Sequence, residues 1–270
     1  MPRPILFLSD LGVRDEFVGV CHSVIASIAP SASVIDLSHG VPPQDIQAGA
    51  MTFRDCIAFA PDDGILMGVV DPGVGTDRKA IAVETASGRI LVGPDNGLLS
   101  LAWDAAGGPT RAFEITAPDV LLQPVSSVFH GRDVFAPAAA HLAAGRPLED
   151  LGPELKTDQL VALTLPEADV LTREIRAQVL DVDRFGNIRL NVRPADLPAA
   201  ELEGSTVKVA TTDASAHAER VSTYAEVGPG EYAVIEDAWG WITVIRFGAN
   251  AAAELGVRPG DAVWLMAPDD

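Results

Sequence analysis

Three times in the first hundred residues an apolar run ends in an acid followed by a turn: Ser9-Asp10-Leu11-Gly12, Asp71-Pro72-Gly73-Val74-Gly75 and Pro94-Asp95-Asn96-Gly97. A carboxylate so placed can accept hydroxyl protons, orient water or meet a cation. Asp and Asn also favour turns for a local reason, because their side chains bond nearby backbone. Repetition at three strand ends tips the balance toward a shared crevice, since ligands of open α/β sheets lie outside the carboxyl ends of the strands. Phe129-His130-Gly131-Arg132-Asp133, ahead of an Ala-rich stretch, adds an imidazole. His130 reads either as a general acid or base or as a satisfied residue beside a helix start, where Asp133 suits the free N–H groups. Arg78 can hold Asp71 ionised and oriented, although an ordinary turn Arg has the same spacing. Farther along, Asp183-Arg184-Phe185-Gly186-Asn187 reads as a strand–turn–strand link, or as an edge offering an acid, an aromatic face and an amide to a small aromatic ligand. Gly73-Val74-Gly75 lacks both the third glycine of a dinucleotide site and a Gly-Lys-Ser/Thr, so it is a poor phosphate cradle.

The elements that must carry these residues fall into two textures. Short apolar runs at 4–8, 32–37, 64–70, 80–85 and 90–93 predict strands buried on both faces, alternating with helical patterns at 16–29, 46–60 and 133–144. That order predicts an α/β domain over 1–155 with a central, mostly parallel sheet. Residues 156–170, mixed in Pro, acid and Leu, read as a linker. From 171 to 270 come short alternating runs at 173–182, 187–192, 205–210, 219–223, 231–236, 241–246 and 262–266, with one helix at 249–255. Turn signals separate them, predicting an all-β, barrel-like domain.

Composition narrows the classes of function. Apolar residues make up 48% of the 270, enough for large cores, and 38 acids against 19 Lys and Arg give a net charge of −19. Such a surface repels nucleic-acid phosphates and anionic lipid, disfavouring both as partners, and is compatible with a cationic substrate. No apolar run reaches the roughly 20 residues of a membrane span, and the N-terminal run ends in an acidic turn rather than a cleavage site. Cys21 and Cys56 show no metal or disulfide spacing, consistent with reduced thiols in the cytoplasm.

Taken in order, these segments resemble the S-adenosyl-L-methionine (SAM) hydroxide adenosyltransferase family, which is related to SAM-dependent fluorinases and chlorinases. The resemblance rests on Ser9–Gly12 with Glu16-Phe17-Val18-Gly19, and on Asp36-Leu37-Ser38-His39 with Pro42-Pro43. It continues through Val69–Gly75, Gly93–Leu99, Phe129–Asp133 and Asp183–Asn187. It implies hydrolysis of SAM to adenosine and L-methionine without a cofactor or metal. It also implies a homotrimer whose active sites each lie between one subunit's first domain and a neighbour's second. The family's water-handling Asp, Arg and His fall on Asp71, Arg78 and His130. By the same resemblance Asp10 accepts the ribose hydroxyls, Asn187 reads the adenine edge and Phe185 stacks on it. Tyr224 covers the other face, Arg246 and Gly248 give backbone contacts, and Asp183 meets the methionine ammonium. The halogenases carry Tyr and Thr where this chain has Asp71 and Val74, and Ser where it has Gly131, which favours water as the nucleophile. Two departures bear on the substrate. Asp237-Ala238-Trp239-Gly240 replaces Asn-Ser-x-Gly at the amino-acid end, and Gln44 stands where relatives place an aromatic beside the ribose. The competing readings are a SAM-dependent halogenase, a non-catalytic SAM or adenosine sensor, and a metal-dependent hydrolase with Asp10, Asp71, Asp95 and His130 as ligands. The last lacks any His-rich spacing.

Overall fold

The computed structural model describes residues 2–268, and the chain divides between Leu163 and Thr164 into two compact units. In the first, the elements run β1 (Ile5–Ser9), α1 (Phe17–Ile28), β2 (Val34–Ser38), α2 (Ile46–Ile57), β3 (Ile65–Val69), β4 (Ala80–Thr85), β5 (Ile90–Pro94), α3 (Ser100–Ala105), β6 (Pro109–Glu114), α4 (Ala136–Ala143) and β7 (Glu154–Leu155). Their described residues form one sheet in the order β2-β1-β3-β5-β4-β6-β7. Alternation along β1 explains its two covered faces. Ile5 and Phe7 pack with Cys21 and Ile25 of α1 and Ala138 and Ala139 of α4, whereas Leu6 and Leu8 pack with Phe53 and Ile57 of α2 and Trp103 of α3.

The α/β class is as the sequence implies, and the sheet is mixed. β2, β1, β3 and β5 run parallel, while β4, β6 and β7 join through antiparallel pairings. The connection from Thr85 to Ile90 is too short for a crossover helix, so β4 and β5 must form a hairpin. Three details differ from expectation. β2 is an edge strand rather than a fully buried one, with Ile35 45% exposed, because only β1 pairs with it. α3 and β6 were not anticipated: one has six residues, and the other starts at Pro109 and lacks alternation. Finally, the helix expected from 133 begins earlier, with a π-helical turn over Gly131–Phe135 that runs into α4.

The second unit contains β8 (Asp169–Leu171), β9 (Glu174–Val182), β10 (Ile188–Leu190), α5 (Asp196–Ala199), β11 (Thr206–Ala210), β12 (Ser215–Arg220), β13 (Tyr232–Glu236), β14 (Ile242–Arg246), α6 (Ala251–Leu255) and β15 (Ala262–Met266). The order β10-β14-β13-β12-β11-β15-β9 closes through a β9–β10 pairing into a seven-strand barrel of the described residues, with β8 flanking β9. Val207, Val209, Val234, Val244, Val263 and Leu265 fill its interior. The strand expected at 219–223 lies at 215–220, where Ala216 and Ala218 alternate with polar residues; Val221 packs in a separate small cluster.

Candidate active site

The parallel register fixes the first part of the site. Ser9 of β1 lies opposite Val69 of β3, so Asp10 and Asp71 leave the sheet at the same edge, and the Asp10 N–H donates to the Val69 carbonyl at 3.2 Å. Strands β2 and β3 lie on opposite sides of β1, making this a point where the strand order reverses and a crevice opens. After Asp71 the chain folds into a tight turn, with the Val74 N–H on the Asp71 carbonyl and the Thr76 N–H on that of Gly73. Gly75 closes the turn at φ +78°, and a Cβ there would stand 2.4 Å from the Ser127 carbonyl oxygen. Only glycine lets this turn lie against the segment that leads to His130.

Arg78 joins the acid to the imidazole. Its Nε donates to Asp71 Oδ1 at 2.9 Å and its Nη2 bonds Asp71 Oδ2, a two-pronged pairing. The same Nη2 donates to His130 Nδ1 at 2.6 Å. Both charged side chains are largely buried, Asp71 at 6% and Arg78 at 10% exposure, and the guanidinium lies 5.2 Å from the Phe135 ring centre. A guanidinium has no acceptor, so His130 Nδ1 must accept, which places the proton of the neutral ring on Nε2. Burial, and then the Arg78 charge, hold the His130 pKa below the ordinary histidine range against the opposing pull of Asp71 and Asp133.

Asp71 and His130 face a cleft of about 240 Å³ shared with Asp10, Gln44, Val128 and Phe129; Arg78 supports them without lining it. Asp10 Oδ2 accepts the Gln44 N–H at 2.8 Å, which anchors a residue held at φ +67° just before Asp45 caps α2. Two sequence expectations are corrected here. Asp133 does not cap a helix: fully buried, it accepts the Ser126 N–H at 2.8 Å and pairs with Arg132. Asp95 does not line the cleft. Its Oδ1 accepts the Val161 N–H at 2.9 Å, and burial raises its pKa, with that N–H and Lys79 opposing.

In the second unit Asp183, Phe185, Asn187, Tyr224, Arg246 and Gly248 all line one cavity of about 540 Å³, with Phe247 and Ala249. Asp183 organises the β9–β10 turn: Oδ1 accepts the N–H groups of Phe185 and Asn187 at 2.8 and 2.9 Å, and Oδ2 accepts the Asn187 side-chain N–H at 2.7 Å. The turn therefore holds Phe185 outward, 69% exposed, as an open aromatic platform. Arg246 turns its guanidinium away to the Gly230 carbonyl and Glu254, and Gly248 sits at φ +74°. Burial, then Asp183 and Asp237, raise the Tyr224 pKa and keep its hydroxyl protonated. A smaller space of about 180 Å³ adjoins through Asp183, Asn187 and Tyr224, and is lined further by Asp181, Arg189, Asp237, Ala238 and Trp239. Asp237 caps its own turn through the Trp239 and Trp241 N–H groups and pairs with Arg189 at 2.7 Å. The sequence reading passed over Arg189 and Asp181; their one signal is the alternation of polar side chains along β9 and β10.

An acid–guanidinium–imidazole cluster at a sheet's switch point in one unit, and in the other a barrel with an aromatic platform beside an amide, are the marks of a two-domain enzyme class with an α/β and a β-barrel unit. The chain matches the SAM hydroxide adenosyltransferase N-terminal domain over residues 5–152 and the corresponding C-terminal domain over 177–264, and it belongs to that family. It is 44% identical to an (R)-S-adenosyl-L-methionine hydrolase of Salinispora tropica, over 98% of this chain and 99% of the relative. A fluorinase of Actinopolyspora mzabensis is 29% identical over 97% and 96% of the two chains. Among solved structures, an uncharacterized conserved protein from Thermotoga maritima superimposes with a TM-score of 0.89 at 32% identity, covering 97% of this chain and 99% of that one.

Proposed function

We propose that this protein hydrolyses SAM to adenosine and L-methionine, by attack of water on C5′ in line with the breaking C–S bond. The observation that carries the reading is the Asp71–Arg78–His130 cluster, whose acid and imidazole face a cleft while the guanidinium fixes both from behind. SAM is a sulfonium: the C5′–S electron pair leaves on sulfur as a neutral thioether, so no acid, metal or cofactor is needed for departure. The demand falls on water, and positioning can contribute about 7–11 kcal/mol in favourable cases. The His130 Nε2–H orients the water, and an Asp71 oxygen receives its proton as the C–O bond forms. Asp10, with one oxygen held by Gln44, keeps lone pairs for the ribose hydroxyls. Phe185 and Tyr224 stack on adenine, and Asn187, its amide nitrogen committed to Asp183, turns its carbonyl oxygen to the exocyclic amine. The space near Asp183, Asp237 and Arg189 takes the amino-acid end, the acids facing the ammonium. An overall charge of −19 favours approach of a cation.

The relative from Salinispora tropica is named for the (R) form. Since "L" already specifies the amino-acid carbon, "(R)" specifies the sulfonium centre, and we extend that preference to this chain. We further assign the protein to the cytoplasm, a reading supported by its free thiols, Cys21 and Cys56. It acts as a homotrimer with sites between subunits, a reading supported by the family resemblance and by the two half-sites, each lacking what the other provides.

The test is incubation with separated (R) and (S) SAM in the presence of chloride and EDTA, followed by chromatography. Adenosine and methionine in equal amounts, faster from the (R) form, support the proposal. Accumulation of 5′-chloro-5′-deoxyadenosine would identify a halogenase, and binding without turnover a sensor.

A further inference from the structure

The sheet's outer edge gathers three side chains that the hydrolytic reading does not use. His22 projects from α1, Asp36 lies on β2 and His39 follows that strand. The parallel β1-α1-β2 unit brings them together, with His22 Nε2 at 2.8 Å and His39 Nε2 at 3.1 Å from the same oxygen, Asp36 Oδ1. One ligand atom from each lies within 4.8 Å of the other two. We propose that His22, Asp36 and His39 form a binding site for a divalent transition-metal ion of the zinc class.

Four observations support this assignment. His39 is 7% exposed, and its buried Nε2, though close to Asp36, makes no aligned hydrogen bond with any described residue. A buried ring nitrogen in that condition costs free energy, which coordination relieves. The other nitrogen, Nδ1, lies 2.7 Å from the Oγ of fully buried Ser9. When Nδ1–H donates to that oxygen, Nε2 presents its lone pair to Asp36 and His22, the usual outer support of a metal-bound histidine. Phe7 then fixes the rings: its centroid lies 4.6 Å from His39, edge to face, and 6.1 Å from His22. Finally, His22 and Asp36 are 35% and 44% exposed at the side chain, so the ion has a path in from solvent.

The donor set chooses the ion. Two imidazoles and one carboxylate suit zinc, cobalt or nickel rather than magnesium or calcium, with water completing the shell. Metal–ligand bonds of about 2.0–2.2 Å in a tetrahedral shell place neighbouring donor atoms about 3.3–3.6 Å apart, so the spacings of 2.8 and 3.1 Å to Asp36 need only widen by a few tenths of an ångström to admit the ion. Bound there, the ion would clip α1 to β2 and steady the turn whose His39 carbonyl accepts the Gly12 N–H at 2.9 Å.

The test uses the full chain freed of metal with a chelator, then titrated with Co²⁺ while following visible d–d absorption, and with Zn²⁺ by calorimetry and thermal melting. One equivalent should bind, with a rise in Tm. Because His22 and Asp36 are partly exposed, His22→Ala and Asp36→Ala should fold, and each should lose at least about 100-fold in affinity. The control His217→Ala, at an exposed strand position of the second unit, should bind as the wild type does. The proposal is overturned if the wild type takes up neither ion, or if both variants retain its affinity. Adenosine production from SAM is read separately and decides nothing here.

Discussion

At the scale of single residues the important partner is Arg78, because it can only donate. By donating to Asp71 and to His130 Nδ1 together, it fixes the orientation of the acid and assigns the histidine's tautomer. A second proton on His130 would point at the guanidinium and break that contact. Since burial and Arg78 lower the His130 pKa, the neutral ring persists through the physiological range. The direction of the pH effect follows: activity depends on the deprotonated form, so it is present above the lowered pKa and lost as pH falls through it. A ¹H–¹³C NMR titration of His130 should therefore show a midpoint below that of an unperturbed histidine. In Arg78→Met, which removes one of the two lowering influences, that midpoint should move upward. Replacing His130 by Ala should reduce kcat about 100-fold or more while leaving adenosine affinity near wild type. A midpoint that ignores Arg78, or equal losses in kcat and affinity, would reduce His130 to a structural residue.

At the scale of elements, the three strand-end turns look alike as sequence and serve different ends. The Asp71 turn is shaped by Gly75, whose positive φ and 2.4 Å approach to the Ser127 carbonyl leave no room for a side chain. Gly75→Ala should cost about 1–3 kcal/mol in strain and push Asp71 away from His130. Denaturant melts and SAM turnover should both fall. The Asp95 side chain holds Val161 through a single exposed hydrogen bond, so Asp95→Ala should cost about 1 kcal/mol and leave kcat unchanged. A kcat loss in Asp95→Ala would return that acid to the chemistry. This contrast also marks how far sequence could carry the fold and site. Buried runs, strand-end acids and the Asp183–Asn187 turn were legible because each has a local cause: apolar continuity, turn preference, an Asx cap. The edge exposure of β2, the hairpin that makes the sheet mixed and the diversion of Asp133 to Ser126 depend on which strands and loops become neighbours, and no short window records that. The convergence of His22 with Asp36 and His39 was hidden for the same reason.

At the scale of the whole molecule, the first unit holds the groups proposed to handle water and the second holds the aromatic platform and amide. On the proposed reading, neither alone both binds the nucleoside and attacks its C5′. The proposed homotrimer resolves this if each site takes its first half from one subunit and its second from the next around a three-fold ring, a heterologous contact that closes. Light scattering on the purified protein should give three times the chain mass of 28.3 kDa. The sharper experiment separates a shared site from one made within a single chain. His130→Ala lacks the catalytic half and keeps the binding half; Asn187→Ala has the opposite defect. Each homogeneous variant should be almost inactive. Co-expressed and assembled at random, they should recover about a quarter of wild-type activity, because about one junction in four pairs two intact halves. Mixing the purified variants without reassembly should recover none. If co-expression also fails while the mixed trimers are intact, the two halves of each site must come from the same chain.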